Sequence, residues 1–168
     1  MAGQPIITIQ DVEDLKAKGM NQSEIAREFG VTRAYISYIV HTYGGKLTPR
    51  AQVQRDHFPW KVSTDFQRSA IDKCLRHHAE WVVTGGRGMS DDALSRLKSF
   101  HRRLRDFNLV VEFDPSIPPN RDSSVGGYRY ADRLPEDGDL MLRVNDDIRL
   151  TDEGRNKIWK LPPTSATY

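Results

Sequence analysis

The sequence predicts a mainly helical protein with a smaller α+β part: an N-terminal three-helix domain, a connector, and C-terminal helices plus a small antiparallel sheet. Three observations predict it. Apolar residues recur at helical spacing from Ile9 to Tyr43, with glycines at 19, 30 and 44–45 as stops. Residues 46–63 carry Pro49 and Pro59 and no sustained periodicity. Beyond two further helical patterns, short β-prone runs alternate with Pro- and Gly-containing loops. The expected boundaries are 1–45, 46–63 as connector, and 64–168.

In the first domain, Ile9, Val12 and Leu15 mark a helix that ends at Gly19. Asn21, with Glu24 three residues on, is a capping box for a second helix that buries Ile25, Ala26 and Phe29 before Gly30. Thr32 caps a third, with Ile36, Ile39, Val40 and Tyr43 on one side and Arg33, Ala34, Ser37, Tyr38 and His41 on the other. In the second half, Thr64 and Gln67 open a longer helix through Ile71, Cys74, Leu75 and His78 towards Trp81. Ser90 caps the next, whose stripe is Leu94, Leu97, Phe100, Leu104 and Phe107. Strands are expected at 109–113, 128–133 and 140–144, and a short helix at 152–159.

A chain of 168 residues holds one domain or two small ones, which excludes a large multidomain enzyme. With 38% hydrophobic and 29% charged residues and no apolar run of about 20, a helical membrane protein is excluded. Met1–Pro5 lacks the basic start and apolar stretch of a secretory signal, and the single Cys74 can form no internal disulfide. The expected compartment is the cytoplasm.

The net charge of +2 argues for no polyanionic partner by itself, but the charge is unevenly placed. Arg96, Lys98, Arg102, Arg103 and Arg105 follow one another with no acid among them, a candidate anion-binding surface.

The segment from Gln22 to His41 has the layout of a helix-turn-helix: small Ala26 where two helices cross, Gly30 in the turn, and Ile36 and Ile39 holding the second helix down. In such a motif the second helix enters the major groove of double-stranded DNA, which puts Arg33, Ala34, Ser37 and Tyr38 towards base edges, with His41 on the same face. Arg33 has the fork that matches guanine, and Ala34 can meet a thymine methyl. Gln22, Ser23 and Thr32, near helix N-termini, suit phosphate oxygens. The bland alternative is a solvated face on a three-helix interaction domain.

Lys46, Arg50 and Arg55 fit either a backbone-tracking arm or an ordinary polar linker. Lys98, Arg102 and Arg105 fit either a second phosphate-binding surface or a solvated helix face. Asn120 and Arg121, leading to Arg129, are side chains suited to adenine and guanine in a loop that is otherwise a plain connection.

Cys74, His77 and His78 have metal-ligand spacing on a helix, but Cys74 belongs to the apolar stripe, so a core thiol and ordinary histidines are expected and no metal. Gly85-Gly86-Arg87-Gly88 lacks the ending of a phosphate-binding P-loop. Asp91-Asp92 and Asp146-Asp147 suit a helix start and a turn better than magnesium in a nuclease. No catalytic residues and no cofactor are expected, and the protein is read as a non-enzyme.

With Gln22-Ser23-Glu24-Ile25-Ala26-Arg27-Glu28-Phe29-Gly30-Val31-Thr32 and the arginine-rich second half in view, the chain resembles the stoperator-binding immunity repressors of temperate mycobacteriophages over most of its length. The resemblance implies a transcriptional repressor that maintains lysogeny by shutting early lytic promoters and by binding dispersed stoperator sites, where it stops elongation. It also implies a monomer on an asymmetric operator, with a second DNA-binding domain in which Arg102, Arg105, Arg121 and Arg129 have a purpose. The alternatives are a DNA-recombination accessory protein and a dimeric repressor whose C-terminal domain only pairs subunits.

Overall fold

A computed structural model describes residues 7–43 and 48–168 of the chain. They form two compact units that part between Thr48 and Pro49. Lys46 and the Gly44-Gly45 stop lie outside the described residues.

The first unit is three helices: α1 (Ile9–Ala17), α2 (Gln22–Glu28) and α3 (Arg33–Tyr43). The Thr8 hydroxyl caps α1 with Asp11 answering it, and Asn21 and Glu24 form the expected capping box on α2. The turn after α2 is fixed by its hydrogen bonds. Val31 N–H reaches Ala26 O at 2.9 Å and Gly30 N–H reaches Arg27 O at 3.2 Å, with Gly30 at φ +66. This is the Schellman ending, in which a left-handed residue is needed and glycine supplies it at little cost. Val12, Ile25, Ala26, Ile36, Ile39 and Val40 then meet in one core. Tyr43, expected among them, is 63% exposed, because it sits at the last position of α3, beyond the core that Ile39 and Val40 reach.

The second unit begins earlier than the sequence suggests. Pro49–His57 forms α4 rather than connector, with Pro49 at its first position, where the missing N–H costs nothing. Val53, Phe58 and Trp60, from that expected connector, are buried in the unit's core. A 3-10 turn (Phe66–Arg68) precedes α5 (Ala70–Thr84), which Ser69 caps instead of Thr64, and α6 (Asp91–Asp106) starts at Ser90 as expected. Phe107 is not part of the α6 stripe: it lies just past the helix end and is 70% exposed.

Strands β1 (Leu109–Phe113) and β2 (Tyr128–Asp132) pair antiparallel, with Glu112 opposite Arg129. The run 140–144 makes only isolated bridges, Val111 with Leu142 and Leu140 with Lys160, and not a third strand. Val111 donates to Met141 O at 2.9 Å and accepts from Arg143 N–H at 2.8 Å, and the Arg143 side chain donates to Asp132 O and to Asp137. The closing helical turn is a π-helix at Gly154–Ile158.

The core of this unit contains a buried ionic knot. Asp72, with a fully buried side chain, accepts from Arg76 Nε at 2.6 Å and from Tyr128 O–H at 2.7 Å. The knot ties α5 to β2, and the Arg76 guanidinium also lies 4.5 Å over the Phe58 ring.

Candidate nucleic-acid interface

In the first unit the α2 cap and the Schellman turn fix where α3 starts, and Thr32 Oγ1 accepts the Tyr35 N–H at 3.2 Å to cap it. With Ile36, Ile39 and Val40 turned inward, Arg33, Ala34, Tyr38 and His41 are exposed on the other side and Ser37 is half-buried at the edge. Arg33 pairs with no acid among the described residues, so its fork is available to a ligand. Ser23 is exposed and Gln22 half-buried at the start of α2, but Asn21 already takes the N–H groups of Ser23 and Glu24. An anion there would be met by side chains rather than by these amides.

In the second unit the cations predicted from sequence separate into free and committed ones. Lys98 and Arg102 are exposed on α6 and pair with no acid among the described residues. Arg105 is half-buried and donates through Nη1 to Pro162 O at 2.9 Å and Pro163 O at 3.3 Å. Arg129 bonds Glu112 across the sheet at 2.6 Å, and Arg50 lies 3.4 Å from Glu80. Arg55 bonds its neighbour Asp56 at 2.6 Å.

The loop between β1 and β2 is not a floppy connection. Asn120 uses its whole side chain to hold it, donating to Pro118 O and Tyr128 O and accepting from Asp122 N–H and Ser123 N–H. No hydrogen-bonding capacity is left on Asn120 for a base, so its expected role as a reader gives way to a structural one. Arg121, the next residue, is 93% exposed at the tip, with Asp122 at 3.9 Å. Asp122 itself was not singled out from sequence. It accepts the Tyr130 N–H at 3.2 Å and sits 3.6 Å from Arg103, whose guanidinium lies 4.4 Å over the Tyr130 ring. The Asn-x-Asp-Ser spacing, suited to side chain–backbone turns, is the signal that could have found it.

Burial pushes the Cys74 thiol up to about 11, and His78 points to His101 and the Ile158 carbonyl. No cluster of three potential ligands occurs among the described residues. No helix among them is long and apolar enough to cross a membrane.

No protein-family model matches the chain. It is 44% identical over 157 residues to the repressor-like immunity protein of Mycobacterium phage L5, which covers 93% of this chain and 85% of that protein. The class this defines is that of the repressor-like immunity proteins. At that identity and coverage the chain belongs to the repressor-like immunity proteins of mycobacteriophages.

Proposed function

We propose that the chain is a sequence-specific DNA-binding repressor that maintains lysogeny by occupying early promoters and dispersed stoperator sites, acting without a cofactor or catalysis. The carrying observation is the exposed face of α3, where Arg33, which pairs with no acid among the described residues, stands beside Ala34, Ser37 and Tyr38 on a helix whose start is set by the α2 turn. In this reading α2, the Gly30 turn and α3 are a helix-turn-helix, α3 lies in the major groove, and Gln22, Ser23 and Thr32 face phosphates. His41 extends the same face.

The second unit contributes a separate set of contacts from Lys98 and Arg102, which pair with no acid among the described residues, and from Arg121, whose side chain is 93% exposed beside Asp122. Two unlike reading units on one chain read an asymmetric site as a monomer, since no two-fold symmetry is imposed on the operator. The work would be done in the cytoplasm of the bacterial host.

The test is binding of the full chain to a duplex selected from random DNA, followed against salt. Arg33→Ala should cost roughly 1–3 kcal/mol and relax preference at one base pair. Lys98→Ala with Arg102→Ala should leave base preference intact and lower the salt slope by about two contacts. Unchanged binding by both variants refutes the reading.

A further inference from the structure

Arg105 is on the side of α6 that also carries Lys98 and Arg102, yet it is turned to a different task. Its Nη1 holds the carbonyls of Pro162 and Pro163, at the start of a segment that runs to Tyr168. At the other end of that segment, Tyr168 stacks on Trp81 with ring centroids 5.2 Å apart and planes at 20°. Its hydroxyl lies 2.6 Å from His101 Nδ1, His101 Nε2 lies 2.8 Å from His78 Nδ1, and His78 Nε2 lies 2.5 Å from Ile158 O.

The direction of this chain follows from its last member. A carbonyl only accepts, so His78 carries its proton on Nε2 and presents Nδ1 as an acceptor. His101 must then donate from Nε2 and accept on Nδ1, which leaves Tyr168 O–H as the donor. Four groups from α5, α6, the π-helix and the final segment are thus satisfied in one order only while both imidazoles stay neutral. Burial holds both below the ordinary histidine range, His78 at about 4. The segment is therefore seated by a stack and a directional hydrogen bond at one end, and by Arg105 at the other.

We propose that Pro162–Tyr168 is a latch that withholds Arg105 from the phosphate-binding side of α6, so that unseating Tyr168 adds one cationic contact to the second unit. The inference rests on the reading of α6 as a DNA-contacting helix. Among the described residues, Arg105 is the one arginine or lysine of the basic run that is hydrogen-bonded to the segment. Release would return a guanidinium to the neighbourhood of Lys98 and Arg102 without moving the helix.

The experiment measures binding of the full chain to a random-sequence duplex across a fourfold rise in salt, where each phosphate contact changes affinity about 3.5-fold. Tyr168→Ala should tighten binding at low salt and make it about 3.5-fold more salt-sensitive. Arg105→Gln in that background should cancel the change, whereas Arg105→Gln alone should leave the native salt dependence as it is. Hydrogen exchange of residues 162–168 reports whether the segment has been released. Release with unchanged salt dependence overturns the latch, and so does a flattened slope in Arg105→Gln alone, a variant that needs no release. Lys98→Ala with Arg102→Ala separates the two levels: no effect there overturns the α6 reading and the latch with it, while a flattened slope there with no gain in Tyr168→Ala overturns the latch alone.

Discussion

Replacing Arg76 by alanine should be among the most damaging changes in the second unit, and its size follows from what is left behind. Asp72 is fully buried and holds two partners, Arg76 at 2.6 Å and Tyr128 at 2.7 Å. Removing the guanidinium strands a carboxylate with a single neutral donor, a defect worth about 3–5 kcal/mol. Loss of the stack on Phe58 adds to it. Tyr128→Phe removes one hydrogen bond to a charged group and should cost less, about 1.5–3 kcal/mol. Replacing all three together, Asp72→Leu, Arg76→Met and Tyr128→Phe, should recover most of the loss, because no buried charge or hydroxyl is then unpaired. Trp60, Trp81 and Trp159 all lie in the second unit, so tryptophan fluorescence in urea follows this unit alone. A midpoint shift for Arg76→Ala worth less than about 1 kcal/mol, or a triple variant worse than the single one, would refute the view that the Asp72–Arg76 pair is held dry.

Two further outcomes are expected. Gly127→Ala should destabilise the second unit by at least about 2 kcal/mol, since φ is +77 and a Cβ would come within 2.7 Å of the Phe66 ring and 3.1 Å of Phe113; a neutral result in urea denaturation would mean that the rings move aside. Because His78 is held near 4 against an ordinary 6.5, the unfolded chain takes up its proton first as pH falls. The stability from the neutral pair is then complete above about 6.5 and declines below it, by about 1.4 kcal/mol per pH unit for each buried imidazole. A urea midpoint that is flat from pH 6.5 to 5 would contradict this.

What the sequence made legible is what local chemistry decides. The Asn21–Glu24 box, the Gly30 turn and the inward set Ile25, Ile36 and Ile39 could be read directly, because caps and helical spacing act within a few residues. Helix α4 escaped notice because its only buried residue is Val53, so periodicity had nothing to repeat. The fates of the arginines were also beyond local reading. Arg105 and Pro162, or Arg50 and Glu80, meet only through the folded chain, and a run of basic letters does not say which guanidinium is spent on a carbonyl or a carboxylate. The same holds for Asn120, whose composition suits a base and whose turn consumes it.

The most direct test of the central claim is selection of bound sequences from random duplex DNA by the full chain, by its Arg33→Ala variant and by its Arg121→Ala variant. The expected result is one asymmetric site, with Arg33→Ala erasing preference at one part of it and Arg121→Ala weakening binding through another. A palindromic site, or no enriched sequence at all, would contradict a monomeric repressor that reads DNA with two different units.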